Sequence, residues 1–129
     1  MLPQGFSDRM KRLLGEEYEA FLASYALARN AGLRFNPLKG AAPTLDFCCE
    51  RVPWEKNGYY LREGARPGLH PYHDAGVYYL QEPSAMAPAV LLVAQPNERV
   101  LDLCAAPGGK TTQLGAAMRG HGLLVCNEI

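Results

Sequence analysis

Apolar and polar positions along the 129 residues change period several times, and each change marks the edge of an expected element. Ser7 reads as an N-cap, with Asp8 in a first turn where the helix dipole favours an acid. Met10, Leu13 and Leu14 share one face of that helix, and Gly15 ends it. A second helix is predicted from about Glu16 to Arg29. Tyr18, Phe21, Leu22, Tyr25 and Ala26 recur there at helical spacing as the buried face, and Gly32 closes it. Leu33–Phe35 reads as a short strand. From Lys39 to Pro71 the chain is rich in glycine and proline and weakly periodic, with turns at 40–43 and 66–68. Tyr59–Leu61 reads as a strand within it, and Trp54, the only tryptophan, is expected to pack this small unit together. Val77–Leu80 is a further strand. Ser84 is predicted to cap a helix to about Ala94, with Pro88 early enough to be tolerated. Met86, Ala89, Val90, Leu91, Leu92 and Val93 suit a buried face on that helix.

The last thirty residues carry the sharpest pattern. Val100–Leu103 is an apolar run of strand length. It runs into Cys104–Gly109, a loop of small residues, and then into a helix over Lys110–Met118. Gly120–Gly122 breaks the helix, and Leu123–Cys126 reads as a second buried strand ending near Glu128. A strand, glycine loop, helix and strand in this order form the opening of a nucleotide-cofactor fold. Gly108 and Gly109 lack the Cβ that would keep a ligand away from the backbone. The following helix starts with unpaired N–H groups. Glu128 lies 19 positions after Gly109, and an acid about 20 positions on at a strand end typically takes ribose hydroxyls. A phosphate-binding P-loop needs a glycine where this chain has Cys104, and the Gly-x-Gly-x-x-Gly dinucleotide pattern is absent. A glycine loop that need not wrap a triphosphate, followed by a ribose-type acid, suits S-adenosylmethionine.

Composition narrows the setting. Hydrophobic residues make 48% of the chain and charged residues 20%, the balance of a globular domain. Lys plus Arg and Asp plus Glu are 13 each, which argues against a strongly basic nucleic-acid module but leaves room for a local patch. No apolar run has the length of a membrane span, and no signal-peptide core stands at the amino terminus. A soluble cytoplasmic protein with no membrane partner is expected. Cys48, Cys49, Cys104 and Cys126 are read as reduced thiols, and the adjacent Cys48–Cys49 pair as small buried apolar residues. No metal site is expected: His70 and His73 are two histidines without the partner pattern of a metal centre.

Asp102-Leu103-Cys104-Ala105-Ala106-Pro107-Gly108-Gly109-Lys110-Thr111-Thr112 resembles the cofactor motif of the Nop/Sun family of RNA cytosine-C5 methyltransferases. Tyr78–Met86 is similar to the family segment just upstream. Leu33–Lys39 resembles the family's Leu-Arg-Val-Asn-Thr-Leu-Lys, departing at Phe35 and Pro37. The Asn127-Glu128-Ile129 ending looks most like the bacterial RsmF-type branch. The resemblance implies an α/β fold, with a small α+β amino-terminal domain over 1–75 and the start of a Rossmann-like methyltransferase domain over 76–129. It implies S-adenosylmethionine as cofactor and RNA, ribosomal RNA in this branch, as substrate. By motif match, Cys104, Ala105, Ala106, Pro107, Gly108, Gly109 and Lys110 line the cofactor and Glu128 holds its ribose. Asp102 supports the loop or faces the methionine end. Gln81 and Glu82 either help position cofactor or RNA or simply lead into a helix. His70 to His73 takes a structural or RNA-facing role. Arg34 and Lys39 are read as solvated charges ahead of contacts to RNA phosphate. The nucleophilic cysteines of the family stand on later strands, one of them in an Asp-x-Pro-Cys-type motif. No Pro-Cys pair occurs here, so they are expected beyond Ile129, in a longer enzyme whose front this chain represents. Such a chain is not expected to complete methyl transfer alone. A non-catalytic RNA-binding or assembly module, or a P-loop NTPase, remain the alternatives.

Overall fold

The computed structural model describes residues 2–129. It begins with helix α1 (Gln4–Leu14), a 3-10 turn (Gly15–Glu17) and helix α2 (Tyr18–Ser24). Strand β1 (Gly32–Phe35), a 3-10 turn (Pro37–Lys39), β2 (Cys48–Arg51), β3 (Gly58–Leu61), another 3-10 turn (Pro67–Leu69), the single-turn helix α3 (Pro71–Asp74) and β4 (Tyr78–Leu80) follow. Helix α4 (Pro83–Leu92), β5 (Arg99–Asp102), α5 (Gly109–Met118) and β6 (Leu123–Cys126) complete the chain.

Four strands form one antiparallel sheet in the order β2-β3-β1-β4, with Leu33 opposite both Tyr59 and Leu80. Strand side chains alternate between faces. Leu33 and Phe35 therefore enter an aromatic core with Tyr78, Phe47 and Tyr59. Gly32 and Arg34 turn to the other face, where α4 and α5 lie. All four β1 residues are buried because both faces are covered. Tyr78 donates its hydroxyl to the Pro67 carbonyl at 2.7 Å, satisfying the one polar atom it takes inside.

Strands β5 and β6 pair in parallel, Val100 opposite Leu124 and Asp102 opposite Cys126. Val100 and Leu124 pack on Ala89, Ala94, Leu114 and Met118 of the α4–α5 layer. Leu101, Leu103, Leu123 and Val125 belong to the opposite face and are exposed. Gly122 makes the return from α5 to β6 possible. Its φ is +106°, and a Cβ there would stand 2.4 Å from the Glu98 carbonyl oxygen.

Several expectations need correction. Helix α1 starts at Gln4, so Ser7 lies inside it and Pro3 is the flanking residue. The second helix ends at Ser24 and not near Arg29, and Gly32 opens β1 instead of closing a helix. Of its predicted buried face only Tyr18 is buried, while Tyr25 is exposed. Strand β2 was not evident, since Cys48–Arg51 lacks apolar alternation. Helix α4 begins at Pro83, so Ser84 is not its cap, and its hydroxyl donates to Glu82. Pro88 falls well past the first turn. Met86 and Ala89 are buried, but Leu91, Leu92 and Val93 are exposed. Cys48 is half-buried and Cys49 exposed, so that pair is not a buried one.

Candidate functional site

The Cys104–Gly108 loop bridges β5 and α5, and two carboxylates hold it. Asp102 accepts the Cys104 N–H at 3.1 Å through Oδ1 and the Thr111 hydroxyl at 2.6 Å through Oδ2. Glu128 reaches back from the end of β6 and accepts the Ala106 N–H at 2.8 Å. Backbone bonds extend the strand pairing into the loop: Asn127 donates to the Asp102 carbonyl, and Ala105 donates to the Asn127 carbonyl. Gly108 caps α5 at a φ of +108°, a conformation that disfavours a Cβ. The structure thus brings Asp102, Cys104–Lys110 and Glu128 together, with Lys110 and Glu128 exposed.

The amino-terminal sheet supports the same loop from below. Tyr79 of β4 donates its hydroxyl to the Pro107 carbonyl at 2.8 Å. Arg34 of β1 donates through Nη2 to the Gly109 carbonyl at 2.8 Å and to Thr112 Oγ1 at 3.0 Å, and through Nε to Gln81 Oε1 at 2.9 Å. One turn further along α5, Gln113 donates to buried Glu55 at 2.5 Å and to the Met86 carbonyl at 3.0 Å. Its Oε1 has no partner among the described residues. Gly109 fits this arrangement closely: a Cβ there would meet Gln81 Nε2 at 3.2 Å and Tyr79 Cε1 at 3.3 Å. The absent side chain at Gly109 therefore makes room for the neighbouring sheet, where the sequence suggested room for a ligand.

Arg34 is 3% exposed, so it is neither a solvated charge nor a surface contact for phosphate. Its burial pushes the guanidinium pKa down to about 10, with Glu55 and Tyr79 opposing the shift. Lys39 is exposed as expected. Gln81 is buried and spends both ends of its amide inside the protein, on Arg34 and on the Ala85 carbonyl, while Glu82 is exposed. Trp54 is 43% exposed and donates to the Pro83 carbonyl at 2.9 Å, so it ties the sheet to α4 instead of filling the small core. His70 caps α3, its Nδ1 accepting the Tyr72 N–H at 3.1 Å, and packs edge-on against Phe47 and Tyr72. Tyr79, Arg34, Thr111 and Thr112 were missed as parts of the loop's support. No signal in the sequence marked them: a charge between Leu33 and Phe35 reads as solvated, and only the fold buries both faces of β1.

The chemistry follows from which groups remain free. Two of the loop's N–H groups, those of Cys104 and Ala106, are already spent on carboxylates, and those carboxylates repel phosphate. The loop is consequently a poor triphosphate cradle. It suits a ligand with hydroxyl donors for Glu128 and no phosphate. Cys48 is held as a thiol, since burial pushes its pKa up, with Cys49 and Asp46 adding to the effect. That does not favour a nucleophile, which acts as the thiolate.

Comparison with known proteins bears on this site. A family described as the N-terminal domain of 16S rRNA methyltransferase RsmF matches residues 2–83. A second, described as 16S rRNA methyltransferase RsmB/F, matches residues 89–129. The ribosomal RNA small subunit methyltransferase F of Erwinia tasmaniensis is 33% identical over 141 residues, covering 98% of this chain and 30% of the relative. That of Enterobacter sp. is 34% identical over 143 residues, covering 98% and 29%. A solved methyltransferase homolog protein from Pyrococcus horikoshii superposes with a TM-score of 0.81 at 34% identity, over 97% of this chain and 44% of that one. The chain spans about 30% of the length of the curated relatives it matches.

Proposed function

The chain belongs to the RsmF family of 16S rRNA methyltransferases, and we propose that it supplies the cofactor loop for S-adenosylmethionine-dependent methylation of a cytosine C5 in ribosomal RNA. The observation that carries this reading is the loop held by two carboxylates. Asp102 and Glu128 occupy the Cys104 and Ala106 N–H groups and leave an acid-flanked surface that repels phosphate. S-adenosylmethionine has no phosphate, carries a positive sulfonium and presents a ribose diol, so the donor set fits it. When bound, it supplies an electrophilic methyl group.

The chain's own residues would bind and orient it. Glu128 accepts ribose hydroxyls while its contact to Ala106 keeps the carboxylate in place. Cys104–Lys110 line the cofactor chiefly through backbone, and the first N–H groups of α5 take up remaining acceptors. Asp102 is committed to Cys104 and Thr111, which supports the loop-bracing role over a direct contact with the methionine end. The base-attacking cysteine is proposed to come from a family position that none of the four cysteines here matches. Membership of β4 in the first sheet, with a family match running through residue 83, supports a seam close to Leu80–Pro83 instead of 75/76.

Titration of the purified chain with S-adenosylmethionine, with ATP as the control, tests the reading. Saturable binding of the former that Glu128→Ala weakens supports it. Tight ATP binding dependent on Lys110 would sink it in favour of a P-loop NTPase, and RNA retention without cofactor binding would favour a non-catalytic module.

A further inference from the structure

A guanidinium is expensive to bury unless its donors are met, and the usual partner is a carboxylate. Arg34 is buried against three neutral acceptors: Gln81 Oε1, the Gly109 carbonyl and Thr112 Oγ1. It also lies at the amino-terminal end of α5, where the helix dipole disfavours a cation. Glu55 offsets only part of the burial cost, since desolvation is the larger effect, so the use of the cation must be sought in what its bonds hold.

Those bonds lead to the loop. The Thr112 hydroxyl has one hydrogen. With Arg34 donating to its oxygen, that hydrogen is directed to the Gly108 carbonyl at 2.8 Å, the Gly109 carbonyl at 3.2 Å being the poorer acceptor. Gly108 is the left-handed residue at which the loop becomes helix. Arg34 thus grips the first turn of α5 directly at Gly109 and indirectly, through Thr112, at Gly108. Gln81, which fixes the other edge of the guanidinium, also packs on the vacant side of Gly109.

We infer that Arg34 is a positioning residue for the cofactor loop, so that the amino-terminal sheet forms part of the cofactor site through an Arg34–Thr112–Gly108 relay. This rests on the cofactor reading above, since the loop's ligand is taken from it. A lysine cannot replace Arg34, because one ammonium cannot span Gln81 on one side and Gly109 with Thr112 on the other.

The test uses the full chain in four forms: wild type, Arg34→Lys, Thr112→Val and Thr112→Ser. Two quantities are read, the dissociation constant for S-adenosylmethionine and hydrogen exchange over residues 104–112 without cofactor. Arg34→Lys and Thr112→Val are expected to weaken binding about tenfold, the scale of one lost charge-assisted hydrogen bond, and to speed exchange over the loop. Thr112→Ser keeps the hydroxyl and is expected to match wild type in both. Thr112 is exposed, so Thr112→Val decides the matter should Arg34→Lys not fold. Wild-type binding with unchanged affinity and exchange in Thr112→Val overturns the inference. Failure of the wild type to bind sinks the cofactor reading instead, and the exchange comparison then decides the relay by itself.

Discussion

The Glu128 carboxylate accepts the Ala106 N–H at 2.8 Å, joining the end of β6 to the middle of the β5–α5 loop. One side chain thereby fixes the loop and presents an acid to whatever the loop receives. Removing it is expected to act on binding more than on folding, because Glu128 is exposed. Glu128→Ala should weaken S-adenosylmethionine binding by about 1–3 kcal/mol, the scale of hydrogen bonds to a charged group. Calorimetric titration checks this, and an unchanged dissociation constant removes Glu128 from the site.

Glu55 is buried and serves two partners, the Gln113 amide and the Asn57 N–H. Glu55→Ala leaves both without that acceptor and should lower unfolding free energy by about 1–3 kcal/mol. Glu55→Gln keeps an acceptor and the shape, so its loss should be smaller. Urea unfolding of the two variants measures the difference, and equal losses would show that the carboxylate with both oxygens accepting matters and that shape does not.

Gly122 combines a φ of +106° with a Cβ position 2.4 Å from a backbone oxygen. Neither backbone strain nor the clash can be relieved by turning a side chain. Gly122→Ala should cost about 2–3 kcal/mol, seen as a lower unfolding midpoint. Gly120→Ala is the control: its φ is also positive, but among the described residues nothing lies within 4 Å of a Cβ there, so its cost should be the smaller.

Cys48 has its thiol pKa raised by burial. The folded state therefore holds that proton at a pH where the unfolded state has begun to lose it. Its contribution to stability is complete below the unfolded pKa and is lost as pH rises through the folded one. Iodoacetamide labelling followed by peptide mass spectrometry should find Cys48 the slowest of the four cysteines at pH 7–8, the other three being exposed. Labelling of Cys48 at the rate of Cys49 would contradict its shielding.

The unit from β5 to β6 was legible because its signals are local. An apolar run, a small-residue loop, a helix and a second apolar run are each specified within a few residues, and the structure has them at 99–102, 109–118 and 123–126. Strands β1, β3 and β4 were legible for the same reason. Strand β2 was not, because Cys48–Arg51 gains its place by pairing with β3 and not from its own pattern. The helix starts at Gln4 and Pro83 were misplaced because Ser7 and Ser84 have the chemistry of caps without the geometry.

By itself, then, the sequence determined the order of elements in the carboxy-terminal half, the loop's small residues and the acid that follows them. The tertiary structure alone decided that Arg34 is buried, that Gly109 makes room for Tyr79 and Gln81, and that Glu55 meets Gln113. The partners of Arg34 lie 47, 75 and 78 positions away in the chain. A charge beside apolar neighbours reads as solvated until a second layer covers its face of the strand, and that layer comes from the other end of the molecule.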